Sequence, residues 1–181
     1  MTSSEAGHGL EGATHTIRQR GIFRSFADRP IPPKILEELK DALIWAPSAG
    51  NLQSRLFYFI FNRPMKQALV EAALHQFFIA EVPLVVGACI DLDIEQNYGK
   101  RGRDLYAIQD VSASIQNLLL VAHTHGLGTC WIGAFQEEEA ARIIGIPREY
   151  RIVSLVPVGY PAEDPPAPPR NKKKDAILDI Y

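Results

Sequence analysis

The sequence is poor in the features that mark specialised proteins. Its two cysteines, Cys89 and Cys130, stand far apart with no CxxC spacing. A disulfide scaffold and a thiolate zinc site are therefore both unexpected, and reduced core cysteines in the cytoplasm are the simpler reading. No apolar run reaches the length of a membrane span, and no signal peptide is recognisable. Neither sign of charge dominates, since the formal net charge is −2; a protein built to hold a nucleic-acid backbone or an anionic membrane is not expected. Catalytic signatures are missing too. Gly126-Leu127-Gly128 lacks the third glycine of a dinucleotide fingerprint and follows a helical pattern instead of preceding one. There is no Walker A motif, and Ser48 sits in no G-x-S-x-G elbow. His123 and His125, two apart on a helix, point to different sides, and His75 is isolated, so no metal site is expected. What chemistry the protein performs would have to be that of a bound cofactor.

The chain is organised around the stretch from Asp104 to Phe135. Leu105, Ile108, Val111, Ile115, Leu118, Leu119 and Ala122 recur at steps of three and four, which predicts a helix from Tyr106 to about His125. Leu118 to Ala122 leaves no polar face, as in a helix at the middle of a core. Gly126 is the expected stop. A short strand, Thr129 to Ile132, should follow and end at Gly133-Ala134. Two tiny residues at a strand end suggest bare N–H groups brought close to something flat.

At 181 residues the chain fits one domain, able to bury roughly 70% of its unfolded surface. A disordered tail over 1–14 would precede a domain over 15–181 that ends in an extended arm, 161–181. Near its start, Arg18, Arg20 and Arg24 surround Gly21; they form either a solvated charged face or a pocket in which guanidinium forks grip a phosphate. Pro30, Pro32 and Pro33 start a helix that ends before Pro47. Ser48 to Gln53 is a loop of small and amide side chains, readable as a plain turn or as a set of donors and acceptors for a heteroaromatic edge. Leu56 to Phe61 is the first strand, Met65 to Leu74 a helix, and Leu84 to Ile90 a strand buried on both faces. Phe77, Phe78 and Ile79 read as core or subunit interface. The polar segment Asp91 to Asp104 reads as a mobile surface loop or short helix. Glu137 to Ile144 is a short helix, Arg151 to Val158 the last strand, and proline-rich Gly159 to Pro169 should run extended over the surface. The sum is an α+β fold with a mixed central sheet flanked by helices.

Six pieces in this order resemble the nitroreductase family of FMN-dependent oxidoreductases: RGIFRSF (20–26), APSAGNLQ (46–53), FIAEVPLVV (78–86), YGKRGRDLYAIQD (98–110), GLGTCWIGAF (126–135) and VGYPAEDP (158–165) before Arg170. The resemblance implies a homodimer with non-covalent FMN at the subunit interface. It implies that Arg20, Gly21, Ile22, Phe23, Arg24 and Arg170 hold the phosphate and ribityl chain. Pro47, Ser48 and Ala49 of the neighbouring subunit, with Asn51 and Gln53, would line the isoalloxazine, and Trp131, Ile132, Gly133 and Ala134 would bring backbone to the flavin edge near N5. It further implies NAD(P)H as co-substrate and ping-pong hydride transfer to a small acceptor, nitroaromatic or quinone-like. The same fold also hosts enal reduction, dehalogenation and flavin breakdown, and a flavin-binding protein without turnover is the alternative from another class. Two departures from the family pattern stand out: Gly21-Ile22 in place of a basic residue and a serine, and Ser54-Arg55 in place of Pro-Trp.

Overall fold

The computed structural model describes residues 4–180, with side chains from residue 12 onward. Helices α1 (Ser4–Gln19) and α2 (Pro33–Ile44) precede strand β1 (Arg55–Ile60), and α3 (Arg63–Ala72) and α4 (Phe78–Glu81) lead to β2 (Leu84–Asp91). Then come α5 (Glu95–Arg101), α6 (Ala107–Thr124), β3 (Gly128–Thr129), α7 (Glu137–Ile144) and β4 (Tyr150–Gly159). The strands form one sheet in the order β1-β2-β4-β3. Every pairing within it is antiparallel, so the mixed sheet expected from sequence is, among the described residues, an antiparallel one.

β2 lies between β1 and β4 and is buried from Leu84 to Ile90. Because strand side chains alternate, it serves two cores. Leu84, Val86, Ala88 and Ile90 face Leu39 and Leu43 of α2 and Val111, Ile115 and Leu118 of α6. Val85 and Cys89 face the other way, among Leu69 of α3, Ile79 of α4, Ala140 of α7 and Ile152 and Leu155 of β4. Ile115 and Leu118 are fully buried, and truncating either to alanine should cost about 2–5 kcal/mol.

Local chemistry sets the helix ends. Pro33 opens α2 where a missing N–H is harmless. Asn62 caps α3, its Oδ1 accepting from Met65 N at 2.9 Å. Gly145 closes α7 in the left-handed conformation. α6 is entered through one π-helical turn, Gly102–Tyr106, and left through Gly126 at φ +68°.

Of the tail expected to be disordered over 1–14, residues 1–3 lie outside the described residues, and the rest belongs to α1 from Ser4. α1 comes close to α6, while its side chains from Gly12 to Gln19 are exposed apart from the half-buried Thr16. The polar segment after β2 is helical rather than a loop, a 3₁₀ turn at Leu92–Ile94 continuing into α5. The strand expected over Thr129 to Ile132 is reduced to the two residues of β3 and a single further bridge, Ile132 to Leu155.

Candidate functional site

After α1 the chain runs extended beside β3, tied by a hydrogen bond from Phe23 N to Thr129 O at 3.0 Å. Gly128 makes the close approach possible, because any side chain there would meet Phe23. One carboxylate oxygen of Glu163 accepts from both Arg24 N (2.7 Å) and Ser25 N (2.9 Å). The root of the C-terminal arm is thereby pinned to the arginine stretch, helped by the Phe26 to Pro161 bridge and by Arg29, whose guanidinium carbon lies 3.8 Å from the centre of the Tyr160 ring. Between residues 18–24 and 164–170 lies a cleft of about 700 Å³ to which Arg20, Gly21, Ile22, Phe23, Arg24 and Arg170 all contribute. Arg20 Nε is buried without a partner. An orphaned guanidinium donor is costly and fits an anionic oxygen that the polypeptide does not supply.

The backbone leaving β3 continues from the strand to which Phe23 is bonded, outside the lining of the cleft. Cys130 N donates to Pro157 O (3.3 Å), and Ile132 and Leu155 exchange bonds of 2.9 and 3.0 Å. Ile132 is buried; Trp131, Gly133 and Ala134 are exposed. Neither the Gly133 nor the Ala134 N–H has a hydrogen-bond partner among the described residues. Cys130 lies beside Arg24: burial pushes its thiol pKa up, and the neighbouring guanidinium offsets part of that rise.

Pro47 to Gln53 lies elsewhere, at the end of α2. Its backbone is strained, with positive φ at Gly50 (54°), Asn51 (56°) and Gln53 (53°). Ala49 N donates to Asp110 Oδ1 at 3.0 Å, and Gln53 N donates to Ser48 Oγ at 3.1 Å. The Arg55 guanidinium donates to Ile44 O (2.9 Å), Ala46 O (2.8 Å) and Pro47 O (3.2 Å). Asp110 is only 5% exposed and its Oδ2 has no partner. Burial raises its pKa, opposed by the Ala49 N–H and by the charge of Arg55. Within one chain, therefore, Arg20 to Arg24 and Arg170 share a cleft, with Thr129 and Cys130 beside the arginine stretch, whereas neither Trp131, Ile132, Gly133 and Ala134 nor Pro47, Ser48, Ala49, Asn51 and Gln53 line it. Sequence reasoning did not find Asp110, Arg55 or Glu163 as organising residues; the one local signal was Arg55 in place of an aromatic residue.

The profile of the nitroreductase family matches residues 17–98 and 67–160. The chain belongs to the nitroreductase family. A protein of Methanothermobacter thermautotrophicus, provisionally named NADH dehydrogenase/NAD(P)H nitroreductase, is 31% identical over 153 residues, covering 82% of this chain and 77% of that protein. The NADH dehydrogenase of Thermus thermophilus is 29% identical over 183 aligned residues, covering 86% and 89%. In fold the chain is similar to the NADPH:FMN oxidoreductase of Vibrio harveyi solved with NAD+, with TM-score 0.86 and 20% identity over 94% of this chain and 77% of that one. It is similar also to the FMN-dependent nitroreductase of Clostridium difficile, with TM-score 0.79 and 20% identity over 92% and 98%. Nitroreductase-family membership thus stands on sequence, and the α+β architecture on structure.

Proposed function

We propose that this nitroreductase-family protein is an FMN-dependent oxidoreductase that uses NADH or NADPH to reduce nitroaromatic or quinone-like acceptors. The observation that carries the reading is the cleft between residues 18–24 and 164–170, where Arg20 Nε is buried and unpartnered; after β3, which pairs with the arginine stretch, the Gly133 and Ala134 N–H groups have no partner among the described residues. A ligand with a phosphate at one end and a flat heterocycle at the other answers both features, and FMN is such a ligand. When bound, it supplies hydride acceptance and return at N5.

The chain's own part is binding and orientation. Arg20, Arg24 and Arg170 would hold the phosphate, with the backbone of Gly21 to Phe23 shaping the cleft in place of a serine hydroxyl. The Gly133 and Ala134 N–H groups would donate to the ring edge, where preorganised donors favour the charge that develops on reduction. Asn51 and Gln53 offer amide donors and acceptors on a loop whose exposed backbone a ring can approach. No side chain is needed as an acid or base, and a flat stacking surface reads shape before functional groups, which fits loose acceptor choice.

The reading includes a homodimer, because the Pro47 to Gln53 loop does not reach the arginine cleft of its own chain. Ile44, Trp45 and Phe61 are more than half exposed near an apolar groove of about 470 Å³ along α2 and β1. Ile177, Leu178 and Ile180 of the arm are likewise uncovered. A second copy would bury both sets. Among the described residues no helix is long and apolar enough to cross a membrane. Cys89 and Cys130 are free, in keeping with a cytoplasmic single-domain enzyme.

The test is the visible spectrum of the purified protein, followed by anaerobic addition of NADH or NADPH. A yellow protein that bleaches, and then gives parallel double-reciprocal lines with a nitroaromatic or quinone acceptor, supports the reading. A colourless protein that takes up no FMN overturns it. Bound flavin that neither nicotinamide reduces would instead favour a flavin carrier.

A further inference from the structure

The Pro47 to Gln53 loop holds an arrangement that its own sequence does not favour. Asn51 and Gln53 sit at φ 56° and 53°, where L-residues are rare, and Gly50 lies beneath the Tyr98 hydroxyl at the one position with no side chain to obstruct it. Such backbone persists only where its surroundings over-determine it. Two charged side chains do so here. Asp110, from the first turn of α6, reaches the loop from the protein interior and takes the Ala49 N–H. Arg55, at the start of β1, donates to three carbonyls at the exit of α2, those of Ile44, Ala46 and Pro47. The two ends of the loop are therefore held by two side chains, Asp110 from the interior and Arg55 from β1; burial of Asp110 with Oδ2 unpartnered disfavours its charged form, and the charge of Arg55 offsets part of that cost.

We propose that Asp110 and Arg55 are a coupled pair of positioning residues that clamp the strained Ser48–Gln53 loop in the geometry with which it meets the flavin ring. The inference rests on the proposed function for what the loop touches, but not for the clamp itself. Arg55 stands where the family pattern commonly has tryptophan, so a clamp of hydrogen bonds replaces aromatic packing. Asp110 and Arg55 act through the loop, and neither is a catalytic residue.

The experiment reads backbone amide exchange at Ala49 and Gln53 in the full-length protein, together with its affinity for FMN. Asp110→Ala removes the Ala49 acceptor and should speed exchange there at least about tenfold. Arg55→Met should also speed exchange at Ala49, an amide it does not touch; this long-range effect is the signature of coupling. Each variant should weaken FMN binding about tenfold, and the double variant no more than the weaker single one, because members of one unit are not additive. Asp110→Asn keeps an acceptor for Ala49 N and should restore both protection and affinity to within about threefold of the parent. An Arg55→Met protein with Ala49 exchange like the parent's, losses that multiply in the double variant, or Asp110→Asn behaving like Asp110→Ala would each overturn the clamp. Should Asp110→Ala fail to fold, half-buried Arg55 carries the test alone. If the parent takes up no FMN, the flavin reading falls, while the exchange measurements still decide the clamp.

Discussion

The ring of Phe23 packs on the bare Cα of Gly128: a Cβ built on that glycine would stand 2.7 Å from Phe23 Cγ, 2.8 Å from Cδ2 and 2.9 Å from Cβ. Since Phe23 N is also bonded to Thr129 O, the arginine stretch and β3 are held face to face at a spacing only glycine permits.

Gly128→Ala should therefore push Phe23, and with it Arg20 to Arg24, out of position. Overpacking of this kind costs about 1–3 kcal/mol, so urea unfolding should show a lower midpoint. FMN affinity should fall in the same variant. Gly133→Ala is the control for the unfolding midpoint alone, since nothing lies within 4 Å of a Cβ there.

Arg20→Ala and Arg170→Ala should weaken FMN binding while the fold persists. A hydrogen bond to a charged group contributes about 1.5–3 kcal/mol, which corresponds to roughly ten- to a hundredfold in affinity. Lys173→Ala, on the exposed arm beyond the cleft, should change little. Fluorescence titration of apoprotein with FMN measures all three; equal affinities would remove the phosphate assignment.

Acid should act on Asp110 in a definite direction. Its folded-state pKa is raised by burial, so between the ordinary carboxylate value and the raised one the folded state binds more protons than the unfolded state. Stability from this group is then fully present below the unfolded pKa and is lost as pH rises through the folded one. Asp110→Asn, which removes the buried charge, should melt at or above the parent temperature at pH 7, and the difference should shrink as pH falls toward about 4. Thermal melts across that range, with Arg55 unchanged, would show the opposite trend if the charge were net stabilising.

Both thiols should be inert in the folded protein. Burial pushes the Cys89 pKa up to about 12 and raises that of Cys130 as well. At pH 8 the Cys89 thiolate is then roughly one part in ten thousand. A disulfide reagent should titrate neither cysteine until urea is added, and both afterwards.

Legibility followed sequence distance. The limits of α7 could be read because its stop, Gly145 with Pro147 behind it, is adjacent to it. The buried β2 followed from an unbroken apolar run after Pro83. The antiparallel pairing of β2 with β1 and β4 was not readable, since register depends on partners far along the chain. The site divides the same way. Arg20 and Arg24 announced themselves by clustering, but Glu163 meets Arg24 across 139 residues and Asp110 meets Ala49 across 61, and nothing local to either carboxylate marks the contact. Helicity from Ser4 onward was not read because the segment is polar and glycine-rich, with no apolar period to signal a helix.

The separation of the arginine cleft from the Pro47 to Gln53 loop has a genetic meaning. Where a site is assembled from one stretch of each of two identical chains, a chain damaged only in the arginines and a chain damaged only in the loop are not equivalent defects. Co-expressed, they would form mixed pairs in which one site collects both lesions and the other collects none. Two inactive alleles would then yield measurable activity, up to half that of the parent in each mixed pair, whereas a site built within one chain would yield nothing from the same cross.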